Sequence, residues 1–510
     1  MPKIIIREYD NTKAPSTAYN NFAVVVPGFC GPSYNASVFD KESGVYECHS
    51  QADFEKNVGK AAATQIALVH EAEAPRLDDT VTVISNSKDS FEKYRNAGTL
   101  YYVKPKDVGD GTVGYLEDKH NKYVQVGKSE TFKTGGEGSE FPQGITGYKV
   151  IQKGNEGVDE IRTSQMGNQI AYELLGLGYP VLFKNINTQN VAALSDPSFW
   201  APLKDKAAYD FRYIVTGLDP LSQDTDAAKE VNNAIIELAN AINNPSDPAA
   251  NGRGDCIALV DICSSAYSQK SQAEAIANIT NQVNDLKASK YAAAFAPYVT
   301  YAMVEDKIYK NTTFPASFHY LACAAKAAEN YNEWYAIAGY DRGVSDYAIK
   351  SVGCKFGDIA VNALCPRNNQ GTVKKAVNVI AKIKNNYYLW GNRTLNALGD
   401  ELIASDSLNI RQLCTSIKKQ IYVACKKFTF DPNSDVLWIN FQNAITPLLE
   451  KMKADQGLSD YKFIKRKTDK KAVLMAKLRI VPIEAVEDFE IDLTLENSIA
   501  GTTVGIDEKE

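Results

Sequence analysis

Residues 477–480 read Lys477-Leu-Arg-Ile480, and residues 489–495 read Phe489-Glu-Ile-Asp-Leu-Thr-Leu495. Both alternate apolar and polar positions with the period of two that a strand imposes, so each has one apolar face. The polar faces differ in sign: Lys477 and Arg479 on one, Glu490 and Asp492 on the other. The segregation extends beyond the strands. Residues 461–481 hold eight Lys/Arg and one acid, Asp469, whereas residues 484–510 hold nine acids and one Lys. Opposite charges facing each other across neighbouring strands contribute about 0.2–1 kcal/mol per pair. The pattern therefore favours pairing acidic strand with basic strand, within one chain or between chains. The acidic block would compete with nucleic acid for the basic one, so no direct nucleic-acid partner is expected.

A further strand stands at the other end, where Ile4, Ile5, Ile6, Arg7, Glu8 and Tyr9 precede the polar stretch 10–21. Terminal strands joined through polar sequence recruit sheet edges on other molecules. A chain built this way polymerises.

Upstream of the charged blocks, two amphipathic helices are legible. Leu408 to Lys427 puts Leu413, Ile417, Ile421 and Ala424 on one stripe. After the turn Phe430-Asp-Pro-Asn433, Ser434 or Asp435 suits an N-cap. The helix that follows presents Leu437, Phe441, Ile445, Leu448 and Met452, and Pro447 within it should bend or interrupt it.

The middle of the chain alternates strands and helices from about residue 160. Strands are expected at 178–183, 211–216, 256–260 and 292–301, with helices at 163–177, 227–242 and 271–286. A buried strand is also read at 22–27, and 79–84 alternates with the period of a strand. Such alternation predicts an α/β layer with a largely parallel sheet. Residues 109–147 carry nine of the 32 glycines and read as a turn-rich β insertion. The expected organisation is α+β and multidomain: an N-terminal arm (1–22), an α/β core layer (23–100 and 148–385), a β-rich insertion (101–147), a C-terminal α+β domain (386–483) completed by strands exchanged between subunits, and a C-terminal arm (484–510).

Composition bounds the function. The 510 residues suggest about three domains. With 44% hydrophobic and 23% charged residues, the chain is neither disordered nor fibrous. A net charge of −6 argues against whole-chain attraction to polyanions. The three-residue apolar run at the start is too short for a signal peptide, and no apolar stretch reaches 18 residues, so no membrane insertion is expected. Nine scattered cysteines without a Cys-x-x-Cys pair read as free thiols.

Catalytic signatures are weak. Asp261 ends the strand at 256–260 as a magnesium-binding carboxylate would. The lone Gly-Lys-Ser at 127–129, however, lacks the glycine that a phosphate loop needs at position 122. His49, His70, His120 and His319 share no metal-ligand spacing, and Arg253-Gly-Asp255 reads as a turn. No cofactor, metal or catalytic residue is expected.

From residue 290 onward, ordered short matches carry a resemblance: Tyr291-Ala-Ala-Ala-Phe-Ala-Pro-Tyr298, Ala338-Gly-Tyr-Asp-Arg-Gly343, Leu389-Trp-Gly-Asn-Arg-Thr-Leu395, Leu408-Asn-Ile-Arg-Gln-Leu413, Gly457-Leu-Ser-Asp-Tyr461 and Ile480-Val-Pro-Ile-Glu-Ala-Val-Glu-Asp-Phe-Glu-Ile491. With Ile4 to Asp10 and Val24-Val-Val-Pro-Gly-Phe29, the chain resembles the contractile tail sheath proteins of bacteriophages and related injection systems.

The resemblance implies a structural subunit, not an enzyme. Sixfold rings would stack helically around a tail tube in an extended, metastable state, and contraction would drive the tube through the host envelope. The partners implied are other copies of the chain, the tail tube protein, and baseplate and tail terminator proteins. The implied place is the virion tail, assembled in the host bacterial cytoplasm. Carried over, the exchanged strands are Ile4 to Tyr9 and Phe489, Glu490, Ile491, Asp492, Leu493 and Leu495. They would be accepted at Lys477, Leu478, Arg479 and Ile480 within 474–481, and at 461–465. Lys418, Lys419, Lys451 and Lys453 are candidates for tube contact. Residues 499–510 extend past the last matched strand. The rival readings are a non-contractile shell or tube subunit using the same exchange and, more distantly, a nucleotide-dependent enzyme around Asp261.

Overall fold

The computed structural model describes residues 23–28, 30, 35–59, 100–103, 114–118, 122–127, 133–134, 147–152, 156–186, 191–221, 225–241, 252–302, 313–366, 372–467 and 473–486. The N-terminal arm, the C-terminal arm beyond residue 486 and the strand expected at 79–84 lie outside the described residues.

Elements are numbered in chain order, counting helices of seven residues or more. The largest sheet has eight strands in the order β16 (Asn386–Trp390), β15 (Val377–Ile383), β11 (Ala292–Ala296), β10 (Ile257–Asp261), β9 (Phe211–Val215), β1 (Ala23–Gly28), β8 (Val181–Asn185) and β2 (Val45–Cys48). The six inner strands run parallel, and the edge strands β16 and β2 are antiparallel to their neighbours. Strands buried on both faces read as unbroken apolar runs, as in Ile257-Ala-Leu-Val260.

One face of the sheet, including Val24, Val26, Tyr213, Leu259 and Phe295, packs on α1 (Glu156–Gly176) and α4 (Ala316–Ala327). The other, including Val25, Ile214, Val260 and Val379, packs on α2 (Thr225–Ala239), α3 (Gln272–Asp285) and α5 (Asp358–Leu364). The result is the helix–sheet–helix sandwich that alternating strands and helices favour. A capping box at Ser271 and Glu274 starts α3 where the sequence places it.

Two expectations need correction. The strand read over 292–301 is broken at Pro297, which has no N–H to donate. Past it the chain leaves the sheet and joins the three-stranded sheet β13 (Thr313–Phe314), β12 (Val299–Tyr301) and β14 (Ile349–Val352). The boundary placed at 386 falls inside the β15–β16 hairpin, so the large sheet continues to Trp390.

The Gly-rich region carries a separate five-stranded antiparallel sheet, ordered β3 (Leu100–Val103), β4 (Gly114–Asp118), β5 (Lys122–Gly127), β7 (Gly147–Gln152), β6 (Lys133–Thr134). The last unit is α6 (Leu408–Lys427), α7 (Asp435–Ala454) and the antiparallel hairpin β17 (Leu458–Arg466) and β18 (Met475–Pro482). Leu413 and Ile417 of α6 meet Phe441, Ile445, Leu449 and Met452 of α7 and Leu458 in one small core. Leu449 takes the place expected of Leu448, which lies a step around the helix. Pro447 sits on the exposed side and α7 runs through it.

Candidate functional site

The C-terminal unit is held to the sandwich by polar groups. Besides its apolar stripe, α6 buries a second face of Asn409, Gln412, Thr415, Ser416 and Lys419 against the sheet's helix layer. Gln412 Nε2 donates to the Tyr213 hydroxyl at 2.8 Å and also bonds the Tyr320 hydroxyl. Asn409 Nδ2 donates to the Trp334 carbonyl at 3.1 Å. Arg212 of β9, fully buried, bonds Ser416 Oγ and lies 2.6 Å from the Glu333 carboxylate.

Two of the four lysines expected at a tube contact bond to groups of their own chain. Lys418 Nζ donates to the Gly254 carbonyl at 2.8 Å and the Tyr291 hydroxyl at 2.7 Å. Lys419 is buried and pairs with Asp210, with Asp255 4.0 Å away. Lys419 is thus held inside the chain, whereas Lys418 stays exposed and bonds groups at the edge of its own fold. Lys451 and Lys453 are exposed, and Lys453 makes only a surface ion pair with Asp460 at 3.4 Å. Arg253-Gly-Asp255 is a turn with Gly254 at φ +67°. Its Arg253–Asp255 pair, at 2.9 Å, builds the socket that receives Lys419.

The hairpin has two unlike faces. Tyr461, Phe463, Leu478 and Ile480 face the helices, with Phe463 centred 5.0 Å from Trp438 and 5.8 Å from Phe441. The opposite face carries the pairs Lys462–Arg479, Ile464–Lys477 and Arg466–Met475. Lys462 and Arg479 are direct cross-strand partners, and like charges in that position repel. The nearby acids are engaged elsewhere, Asp435 with Lys465 at 2.7 Å and Asp460 with Lys453. Basic strand β18 is thus paired with another basic strand, where complementarity alone would put an acidic one. Among the described residues, its second edge has no ladder partner.

Beside β18 lies a cleft of about 500 Å³, walled by Ile421 and Phe428 of the α6 end, Leu437 and Phe441 of α7, and Leu474 and Leu478 of the hairpin. Phe430, at its rim, is fully exposed. Lys477, Leu478, Arg479 and Ile480, the expected acceptor residues, belong to β18 beside this cleft. The donors Ile4 to Tyr9 and Phe489 to Leu495 fall outside the described residues. The signal for the cleft was in the sequence as the apolar Ile421, Phe428 and Leu437; nothing in the sequence says that the hairpin overhangs them.

The residues of the enzyme reading are structural. The Asp261 carboxylate accepts from the Ser317 amide at 2.8 Å and the Ser317 hydroxyl at 2.5 Å, so it caps the start of α4. Burial pushes it up to about 7, against the pull of the Ser317 bonds. His319 is buried between the Tyr301 hydroxyl (2.8 Å) and Cys323 Sγ (3.4 Å), and burial lowers it to about 4. Among the described residues no group of three His, Cys, Asp or Glu could hold a metal, and no helix is long and apolar enough to cross a membrane.

No protein-family model matches the chain, and no curated protein matches it. Solved structures do. A chain of the anti-feeding prophage baseplate in the contracted state aligns over 98% of this chain and 99% of its own, at 14% identity and TM-score 0.48. The helical sheath of the same system, also contracted, aligns over 97% and 99%, at 13% identity and TM-score 0.47. The sheath tail protein from Desulfitobacterium hafniense aligns over 94% and 100%, at 9% identity and TM-score 0.38. The structural neighbours are thus sheath and baseplate chains of contractile systems, similar along nearly the whole chain. All three TM-scores are below 0.5.

Proposed function

We propose that this chain is the structural subunit of a contractile tail sheath. Copies form sixfold rings that stack helically around a tail tube in an extended, metastable state, and shortening of the stack drives the tube through a host cell envelope. The reading is supported above all by one observation, a two-stranded hairpin that is incomplete on its own. Among the described residues β18 has an open edge, an apolar cleft beneath and a cationic face above. Residues 489–495 have the pattern that completes it. Phe489, Ile491, Leu493 and Leu495 share one face and suit the cleft; Glu490 and Asp492 share the other and suit Lys477 and Arg479.

Strand addition of this kind joins subunits through backbone ladders while the globular bodies change their mutual orientation through 11–21 and 481–487. Ile4 to Tyr9 is a second donor in the same scheme. Work comes from better packing between bodies in the contracted lattice, summed over many copies, with no nucleotide hydrolysis and no catalytic role for the chain. Lys451 and Lys453 face the tube protein, and the ends of the stack meet baseplate and terminator proteins. The assembly belongs to a virion tail or related injection system built in a bacterial cytoplasm.

Deleting 1–10 or 488–510 should leave a folded monomer that forms no hollow, ridged cylinders by negative-stain microscopy. Normal cylinders from both deletions would overturn the reading.

A further inference from the structure

We propose that Phe430 is the closing residue of the cleft: its ring covers the strand seated beside β18, and that strand is residues 489–495 of a second copy. The inference rests on the sheath reading above and assigns a role to a residue that the sequence singled out within the turn Phe430-Asp-Pro-Asn433, one of the short matches to the sheath family.

Two independent observations converge on Phe430. Its side chain is fully exposed although it stands at the rim of an apolar cleft. Its backbone has φ +74°, the left-handed region that an aromatic residue rarely adopts. The turn around it is firmly built. Thr429 Oγ1 donates to the Cys425 carbonyl at 2.9 Å, the Asp431 amide donates to the Phe428 carbonyl at 3.3 Å, and Ser434 caps α7 through the Leu437 amide at 3.3 Å. Among the described residues, a large apolar ring therefore stands in water on an unfavourable backbone. Covering an occupant of the cleft recovers both costs, as buried aromatic anchors do at interfaces.

Chemistry selects the occupant. The cleft is apolar, so it takes a strand with one apolar face. The adjoining hairpin face carries Lys477 and Arg479 next to Lys462 and Arg466, so the strand's other face must be acidic. Residues 489–495 meet both conditions. The arm Ile4 to Tyr9 does not, since with Ile4 and Ile6 inward it turns Lys3 and Arg7 toward those cations. The donor is assigned to a second copy because the chain still runs along β17 past the end of β18. The Ile483 amide still bonds the Gly457 carbonyl at 3.2 Å, and Glu484-Ala-Val-Glu-Asp488 holds no Gly, Pro or Asn with which to reverse tightly onto its own edge.

Phe430→Gly and Phe430→Asn both relieve the left-handed backbone and remove the ring, while Phe430→Tyr keeps the ring. In full-length protein, the unfolding midpoint is read at concentrations below assembly, and the threshold concentration for cylinders by light scattering and microscopy. The expected result is a Gly and an Asn variant with an unfolding midpoint equal to or above wild type and an assembly threshold raised about tenfold or more. The Tyr variant should assemble near the wild-type threshold. Thresholds within twofold of wild type for Gly and Asn, or unfolding midpoints that fall with them, would overturn the proposal.

A photo-crosslinker at position 430 identifies the occupant. A crosslinked dimer joined to 489–495 supports it; a crosslink within one copy, or to any other segment, overturns it. If the 1–10 and 488–510 deletions both still assemble, the sheath reading itself fails; if only the 488–510 deletion does, the assignment of 489–495 to the cleft fails. If that deletion blocks assembly while Phe430→Gly assembles like wild type, only the role of Phe430 fails.

Discussion

The Arg212 guanidinium and the Glu333 carboxylate lie 2.6 Å apart, with Arg212 wholly cut off from water and Glu333 nearly so. Arg212 is on the central sheet, and its other partner, Ser416, is on α6, so this pair fastens the C-terminal unit to the sandwich. Removing one partner strands the other charge in a dry site, a loss of about 3–5 kcal/mol. Glu333→Gln and Arg212→Ala should each lower the urea unfolding free energy by that order. Arg212→Met combined with Glu333→Leu should cost less than either, because no charge stays buried. A double variant as unstable as the sum of two singles would contradict this.

Asp261 gives the fold a pH dependence of definite sign. Burial raises its folded value to about 7, above the value near 4 of an unfolded aspartate. The folded chain then holds a proton that the unfolded chain gives up. The stability this contributes is complete below about pH 4 and is lost as pH rises through about 7, at up to about 1.4 kcal/mol per pH unit. Asp261→Asn keeps an acceptor for Ser317 and abolishes the titration. The stability of wild type relative to Asp261→Asn should fall between pH 5 and 8 in chemical denaturation; parallel curves would rule this out. His319, held near 4 by burial, acts with the opposite sign and cancels in that difference.

The two pairs of lysines should separate cleanly. Lys419→Glu sets a buried carboxylate beside Asp210 and Asp255 and should destabilise the monomer by at least about 3 kcal/mol. Lys451→Glu with Lys453→Glu alters exposed positions, and thermal unfolding should move by no more than about 0.5 kcal/mol equivalent. Under the proposed function the latter pair should weaken binding to the tube at low salt. Equal destabilisation by both sets would mean that α7 and α6 are docked alike.

Charge on the hairpin should govern assembly. Lys477→Glu with Arg479→Glu, both on exposed positions, should leave the monomer folded and raise the assembly threshold at low ionic strength. Adding Glu490→Lys and Asp492→Lys should restore assembly. Failure of this rescue, measured by sedimentation of cylinders, would detach the acidic strand from β18.

Close packing at the joint gives one more test. A β-carbon at Gly457 would sit about 3.0 Å from the Trp334 ring, which also donates from Nε1 to the Asp455 carbonyl at 2.9 Å. Gly457→Val should displace Trp334 and cost about 1–3 kcal/mol, seen as a shifted tryptophan emission and a lower unfolding midpoint. Unchanged emission and stability would show that the ring has room.

Periodicity alone determined a good deal. Apolar runs of four or five residues gave the buried parallel strands, and 3.6-residue stripes gave α6 and α7 nearly to the residue, because those patterns answer to local geometry and to which face is buried. Charge blocks marked 461–481 as basic and 484–510 as acidic. Tertiary structure decided the rest. Asn409, Gln412, Ser416 and Lys419 look like a solvated face until β9 and the Arg253 turn are brought against them, since a polar residue is as much at home in water as in a satisfied buried network. Whether a lysine points to a partner protein or into its own fold, and whether a phenylalanine in a turn is covered or held out, depends on elements hundreds of residues apart in sequence. No local pattern encodes that distance.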